Sequence, residues 1–186
     1  ISFMESWLCA SSLSEWQRMP GVSIDNFADQ SNYSDAKRMK RYGYAMTHSE
    51  VGCFLAHRKC WACAAESGEY VLVLESDVRL LPNVAISDIV DSLIANARAW
   101  DIVRFHGIFE RNELITRNIA TLDNLYPYKL EQSLGDPMGA GAYLISPSGA
   151  CKVLRASETF YQPVDVYLAS HWIHRARYRT VKPYPF

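Results

Sequence analysis

Apolar residues recur along the chain in two spacings, one typical of helices and one typical of buried strands. After Thr47 they follow a helical spacing as far as Gly68, which supplies a stop. Thr47 followed three residues later by Glu50 is a capping-box pattern and marks the start of this helix. The continuous apolar run 70–74 comes next and is rich in β-forming residues. It predicts a strand buried on both faces, as in a parallel sheet.

Helix and strand alternate again further along the chain. Helical spacing over 86–97 leads into an apolar segment at 100–105. The apolar run 141–145 predicts another strand, and the Ser-Pro pair after it caps a further helix. Residues 108–134 carry no such period and predict loops with one hairpin. This alternation predicts an α/β fold.

The two ends of the chain are less regular. Residues 1–3 have the composition of a strand end, and the segment of about 5–18 predicts a helix. Because the chain opens with Ile1 rather than Met, we expect its N-terminus to be incomplete. The aromatic tail 178–186 is expected to close over a ligand or to lie against the core as an edge.

Composition limits the class of protein and its partners. A chain of 186 residues with 49% hydrophobic residues fits a single globular domain over 1–186. Its 19 Lys and Arg against 20 Asp and Glu supply no overall attraction to nucleic acid, which we do not expect as a partner. Apolar runs stay well short of the roughly 18 residues that a membrane span needs, so we expect at most peripheral membrane contact. The odd number of cysteines argues against a disulfide framework and for a reducing compartment.

Two short motifs have the spacing of redox or metal sites but lack the rest of one. Cys60 and Cys63 form C-x-x-C in the middle of the predicted helix, whereas a redox motif normally opens a helix. His171 and His174 are three residues apart but have no third ligand nearby, so we expect them on a solvated helical face.

The strand at 70–74 ends abruptly in Glu75, Ser76 and Asp77. In open α/β sheets the ligand crevice lies beyond the carboxyl ends of the strands. Positions i and i+2 of an extended chain point the same way, so the carboxylates of Glu75 and Asp77 can converge on one ligand. Such oxygen ligands suit Mg²⁺ or Mn²⁺ bridging a diphosphate. The alternative is a strand that ends at the surface in solvated acids, with Asp77 capping a turn.

Four blocks of the sequence carry a family resemblance in a fixed order. The blocks are T-H-S-E-V-G-C-F-L-A-H-R-K-C-W with Y-V-L-V-L-E-S-D-V (47–77 and the following valine), W-D-I-V-R-F (100–105), G-A-G-A-Y-L-I-S (139–146) and P-V-D-V-Y-L (163–168). Together they resemble glycosyltransferase family 25, including its lipooligosaccharide β-1,4-galactosyltransferase-like members. The resemblance covers most of the chain after residue 43.

This resemblance implies a GT-A-like, Rossmann-related fold, a mostly parallel sheet flanked by helices. It implies an inverting transfer of a hexose, often galactose, from a UDP-sugar donor to a saccharide or glycolipid acceptor. Bacterial members assemble lipopolysaccharide or lipooligosaccharide, which implies a cytoplasmic location, at the inner face of the membrane for a lipid-linked acceptor. Glu75 and Asp77 take the outer places of the family's acidic motif, which implies that they hold Mn²⁺ or Mg²⁺ and the donor. Asp77 is the first choice of metal ligand.

An inverting transfer also needs a base that takes the proton of the acceptor hydroxyl. Asp165 in the last block is the first candidate, and Asp136 is the second. The alternative for Asp165 is a helix N-cap after Pro163.

Three more residues are candidates for contacts with the donor. Glu50 either closes the capping box or faces the crevice. His57 lies two turns along roughly the same helical face and either shares a donor or acceptor contact or is a hydrogen-bonded structural histidine. Ser76 stands where the family has its middle acid and offers a hydroxyl to the donor sugar or ribose. This departure, together with the absence of arginine from residues 4–10, motivates an alternative function, a catalytically inactive glycosyltransferase-like binding module. The donor sugar, acceptor and linkage are left open.

Overall fold

The computed structural model describes residues 16–26, 31–107, 116–122, 125, 127–133 and 138–186. Its helices are α1 (Asp35–Tyr42), α2 (His48–Ser67), α3 (Ile86–Ala95), α4 (Pro147–Ala156), α5 (Val164–Ala169) and α6 (His171–His174), with a 3-10 turn at Ala97–Ala99. Its strands are β1 (Val71–Leu74), β2 (Ile102–Arg104), β3 (Thr116–Thr121), β4 (Lys129–Ser133), β5 (Ala142–Ile145) and β6 (Tyr178–Lys182). The predicted strand end at 1–3 and most of the predicted helix at 5–18 lie outside the described residues, and 16–18 are irregular.

The strands form one six-stranded sheet in the order β1-β5-β2-β6-β4-β3. Strands β2 and β6 pair in parallel, whereas the other neighbours pair antiparallel. The prediction of a mostly parallel sheet is therefore wrong for the described part of the chain. The apolar run 70–74, which predicted a strand buried on both faces, forms the edge strand β1, which pairs antiparallel with β5 and buries only Val73. Strand β5 is buried along its whole length, yet it also runs antiparallel to both of its neighbours. A continuous apolar run therefore fixes neither full burial of a strand nor the direction of its pairing.

Helices cover both faces of the sheet, which confirms the α/β prediction. Side chains of β5 alternate between two hydrophobic clusters, as the two-residue period of a strand requires. Tyr143 packs in one cluster with Trp61 of α2, and Leu144 packs in the other with Leu93 of α3. The site described below lies where α2 crosses β1 and β5.

Helix α2 begins and ends where the sequence predicts. The Thr47 side chain accepts a hydrogen bond from the Glu50 amide, the Glu50 carboxylate accepts one from the Thr47 amide, and Gly68 ends the helix at φ 74°. At Gly52 an added Cβ would lie 2.1 Å from the carbonyl oxygen of Val22, so only glycine allows the 16–26 segment to approach the helix this closely. The capping box and the glycine stop are thus confirmed.

Two predictions about the second half of the chain have different outcomes. Strands β3 and β4 form the single hairpin predicted within 108–134. The tail 178–186 does not form an edge, because β6 lies between β2 and β4 inside the sheet. Beyond β6, Phe186 stacks on Phe105 of the core with ring centroids 6.4 Å apart. None of the helices in the described ranges has the length and apolar character needed to cross a membrane.

Asp101, Lys152 and Arg177 form an ion-pair hub that joins three elements at the start of β2. The Asp101 carboxylate is fully buried and accepts hydrogen bonds from Arg177 Nε at 3.0 Å and Lys152 Nζ at 2.8 Å. Burial alone would raise the pKa of Asp101, but the bonds from Arg177 and Lys152 outweigh it and hold the pKa well below its usual range. The hub ties β2 to α4 and to the start of β6.

Candidate active site

Glu75 and Asp77 lie at the carboxyl end of β1, in a turn that leaves the sheet. The Glu75 amide donates to the Gly141 carbonyl at 2.7 Å, which continues the β1–β5 pairing by one residue. Ser76 and Asp77 then form an exposed turn, which the Val78 amide closes on the Glu75 carbonyl at 3.3 Å. Because the chain turns here, the extended-chain argument from positions i and i+2 does not apply, and the convergence of the two carboxylates on one ligand stays a prediction. Ser76 and Asp77 face solvent at the rim.

A chain of buried hydrogen bonds holds the Glu75 side chain from the protein interior. Trp61 Nε1 donates to the Tyr143 hydroxyl at 2.9 Å, and that hydroxyl lies 2.7 Å from His57 Nδ1. His57 Nε2 lies 3.0 Å from Glu75 Oε1. Burial raises the pKa of Tyr143 well above its usual value, so the hydroxyl keeps its proton and donates it to His57 Nδ1. We therefore assign the proton of a neutral His57 to Nε2, which donates to Glu75.

We call these four side chains, Trp61, Tyr143, His57 and Glu75, the relay. The relay keeps Glu75 in its charged form. The hydrogen bond from His57 lowers the pKa of Glu75 and outweighs burial, which acts to raise it. Glu75 is therefore ionised at neutral pH. Its side chain keeps 36% of its surface exposed, so a ligand can reach the carboxylate that the relay holds.

The pKa of the Cys53 thiol is affected by the negative charge around Glu75. Its Sγ donates to Glu75 Oε1 at 3.9 Å. Burial, followed by the charges of Glu75, Asp165 and Asp77, raises the pKa of Cys53 to about 11. The thiol is consequently neutral at pH 7 and is not a nucleophile. The same effect shows that Asp165, 88 residues further along the chain than Asp77, belongs to the same electrostatic environment.

Asp165 occupies the first turn of α5 and does not cap it. The cap position belongs to Pro163, and the Asp165 side chain does not serve as the cap. Instead, Asp165 Oδ1 accepts a hydrogen bond from the Val166 amide at 2.8 Å. The N-cap alternative for Asp165 is therefore wrong. The carboxylate is half-buried and oriented by this bond.

The remaining predicted site residues divide between three outcomes. Glu50 Oε2 accepts the Thr47 amide at 2.7 Å, so its capping role is confirmed, and a contact with the donor stays a prediction. Ser76 is exposed beside Glu75, and its donor contact also stays a prediction. Asp136 lies outside the described residues.

The two short cysteine and histidine motifs do not form further sites in the described structure. Cys60 and Cys63 lie in mid-helix as predicted, and burial raises the pKa of Cys60 to about 11, which opposes redox chemistry. His171 is exposed, as predicted. The prediction is wrong for His174, which is buried and uses both ring nitrogens, one toward the Leu168 carbonyl at 3.1 Å and one accepting from an amide at 3.1 Å.

Sequence reasoning missed Tyr143 and Trp61 as partners of the site. A signal existed for Trp61, because it follows His57 by four residues and so shares its helical face. Tyr143 had no such signal, since it reaches His57 only through the packing of β5 under α2. Within the described ranges, Cys53 Sγ, a His57 ring nitrogen and a Glu75 oxygen all lie within 4.8 Å of one another.

Comparison with known sequences decides the family. The sequence profile described as "Glycosyltransferase family 25 (LPS biosynthesis protein)" matches residues 11–168. The chain belongs to glycosyltransferase family 25. It is also 30% identical over 131 residues, 68% of its length, to "Probable inactive glycosyltransferase 25 family member 3" of Bos taurus. The chain spans about a fifth of that relative, since the alignment covers 21% of it. The family resemblance predicted from the four sequence blocks is confirmed.

Proposed function

We propose that this family 25 chain is an inverting hexosyltransferase that moves a hexose, with galactose as the first choice, from a UDP-sugar to a saccharide or glycolipid acceptor. The observation that carries the proposal is the Glu75 carboxylate, which His57 holds in place while it stays partly exposed, beside the exposed turn of Ser76 and Asp77 at the end of β1. The charges of Glu75, Asp165 and Asp77 all act to raise the pKa of Cys53, which supports a site that favours a positively charged ligand.

The residues present fit a divalent cation. Asp77 is exposed and Glu75 is partly exposed, and both offer the hard oxygen atoms that Mn²⁺ or Mg²⁺ prefers. These two residues would hold the metal, with the relay keeping Glu75 ionised and in one orientation. A cation bound there supplies positive charge that offsets the charge on the departing nucleotide. The Ser76 hydroxyl lies between the two carboxylates in sequence and would contact the donor sugar or ribose.

Asp165 is the proposed base. Its carboxylate is half-buried, and a hydrogen bond from the Val166 amide restricts its orientation. It would accept the proton of the acceptor hydroxyl as that hydroxyl attacks the anomeric carbon from the side opposite the departing nucleotide. Asp136 remains the second candidate for this role.

The proposal extends to the setting of the reaction. The description of the family as a lipopolysaccharide biosynthesis protein supports a role in lipopolysaccharide or lipooligosaccharide assembly. We place the reaction in the cytoplasm, at the inner face of the membrane when the acceptor is a glycolipid. The position of the acidic turn at the carboxyl end of β1 supports a GT-A-like donor site, although the sheet around it is mixed.

A second candidate function is a catalytically inactive sugar-nucleotide-binding module. Two observations favour it: the serine at position 76, where the family has an acid, and the similarity to a bovine relative named as probably inactive. Loss of one carboxylate lowers the charge available to hold a cation. The two functions differ in turnover, which is directly measurable.

The test is release of UDP from UDP-galactose, UDP-glucose and UDP-N-acetylglucosamine, with and without Mn²⁺. For the transferase we expect Mn²⁺-dependent release by the wild type and its loss in Asp77→Asn. Asp91→Asn is the matched control, since Asp91 is an exposed aspartate on α3, a helix that packs in the other hydrophobic cluster. It should release UDP as the wild type does. Binding of UDP without release, unchanged in Asp77→Asn, would instead establish the binding module.

A further inference from the structure

A cavity of about 380 Å³ opens between the end of α1 and the helices α5 and α6. Its volume lies within the roughly 300–1,000 Å³ of small-molecule sites. We call it the α1–α5 cavity, and the residues that matter here are Arg41, Tyr42, Gln162, Val166 and Trp172, which line it. None of these residues was a candidate site residue in the sequence, and only Val166, whose amide binds the Asp165 carboxylate, also touches the acidic site.

The α1–α5 cavity adjoins the acidic site through two short stretches of chain. Val166, on its wall, directly follows the proposed base Asp165. Met138, also on its wall, lies three residues before Gly141, whose carbonyl accepts the Glu75 amide. Three residues of chain span at most about 11 Å, so the cavity and the acidic turn are close neighbours.

The side chains of the cavity have the chemistry of a sugar site. Trp172 leaves 60% of its surface exposed on the wall of the cavity, so its ring is accessible to a ligand. Its flat face matches the apolar C–H face of a pyranose ring. Gln162 is only 6% exposed, and its Nε2 donates to the Tyr42 hydroxyl at 2.7 Å. Its Oε1 accepts no hydrogen bond within the described residues.

This unpaired amide oxygen is a second argument for a ligand rich in hydroxyl groups. A buried acceptor without a donor is destabilising, and a hydroxyl that reaches Gln162 relieves that cost. Arg41, exposed at the rim, adds N–H donors for further hydroxyl or acidic groups of the same ligand. An aliphatic ligand would use the tryptophan but not these polar groups.

We propose that the α1–α5 cavity is the acceptor subsite, which binds a pyranose ring of the acceptor saccharide against Trp172 with a hydroxyl toward Gln162. The assignment rests on the proposed function, because the bound sugar is the one whose hydroxyl would give its proton to Asp165. It adds to that function a specificity-determining surface on α6 and on the loop before α5.

The test is saturation-transfer NMR of the full chain with lactose, methyl β-galactoside and glucuronic acid as probes, without any donor. We expect Trp172→Ala to weaken saccharide binding about tenfold, which corresponds to about 1.4 kcal/mol. Trp172→Phe keeps an aromatic face and should retain most of the binding. Trp16→Ala removes another exposed tryptophan that does not line the cavity, and it should bind as the wild type does.

Each outcome bears on the subsite separately from the transferase. Equal binding by Trp172→Ala and wild type, or no binding of any probe by the wild type, would overturn the subsite. If saccharide binding depends on Trp172 but UDP is neither bound nor released, the subsite stands and the proposed transferase fails. If UDP is released but the KM for the saccharide is unchanged in Trp172→Ala, the transferase stands and the subsite fails.

Discussion

Replacing Tyr143 by phenylalanine removes one hydroxyl from the middle of the relay. That oxygen accepts the Trp61 indole N–H at 2.9 Å and lies 2.7 Å from His57 Nδ1. Trp61 and Tyr143 are fully buried and His57 is 5% exposed, so water does not readily replace the lost partner. The variant leaves one buried donor and one buried acceptor unsatisfied. Each costs about 1–3 kcal/mol, so we expect Tyr143→Phe to lower the free energy of unfolding by about 2–6 kcal/mol.

The assay is urea denaturation at pH 7, read as the free energy of unfolding. Tyr178→Phe is the matched control, because Tyr178 is buried in the same sheet and its hydroxyl makes no hydrogen bond within the part of the chain that the structure describes. It should change the free energy of unfolding by less than about 1 kcal/mol. A loss in Tyr143→Phe no larger than that of the control would refute the relay.

The same variant tests what the relay does for the site. Without the Tyr143 hydroxyl, His57 is free to exchange its tautomer, and its hydrogen bond to Glu75 is no longer enforced. We expect the affinity for UDP with Mn²⁺ to fall in Tyr143→Phe under conditions in which the protein remains folded. Unchanged affinity in a destabilised variant would make the relay a purely structural feature.

Three further predictions concern the rest of the molecule. Asp101→Asn should reduce the free energy of unfolding by an amount near the lower end of about 3–5 kcal/mol, because Lys152 and Arg177 lose a buried counter-ion but stay partly exposed. Denaturation in urea measures this change, and a reduction under about 1 kcal/mol would contradict the prediction. Burial lowers the pKa of His174 to about 4, so between pH 6.5 and 4 the unfolded chain binds a proton that the folded chain does not. The free energy of unfolding should therefore fall by up to about 3 kcal/mol as the pH drops from 6.5 to 4. Thermal unfolding at pH 7 and pH 5 checks this, and a His174→Asn variant with the same pH dependence would exclude His174 as the source. Iodoacetamide at pH 8 should modify exposed Cys151 well before Cys53, because the pKa of the Cys53 thiol is raised to about 11. Mass spectrometry of the peptides measures the order, and faster modification of Cys53 would contradict the prediction.

Local signals predicted the elements that carry the site. Thr47 and Glu50 gave the start of α2, and the apolar run before Glu75 gave β1, because caps and short apolar runs depend on neighbouring residues alone. The acidic turn and Asp165 were selected on the strength of the family resemblance, and their roles stay predictions.

Features set by distant packing could not be predicted in this way. Strand burial and direction failed at β1, because an apolar run does not show whether neighbouring strands flank it or in which direction they pair. Of the two alternatives for the tail 178–186, the edge failed: Pro183 and Pro185 lie beyond the last residue of β6, so they leave its pairing with β2 and β4 intact. The contact of Tyr143 with His57 spans 86 residues, and no local pattern encodes it.

The central claim is that the carboxylates after β1 hold a divalent cation together with a nucleotide. Calorimetric titration of UDP into the wild type and Asp77→Asn, with Mn²⁺ and then with EDTA, tests it most directly. The account predicts that the wild type binds UDP only with Mn²⁺ and that Asp77→Asn loses this binding. Equal UDP affinity in Mn²⁺ and EDTA, or in wild type and Asp77→Asn, would contradict it.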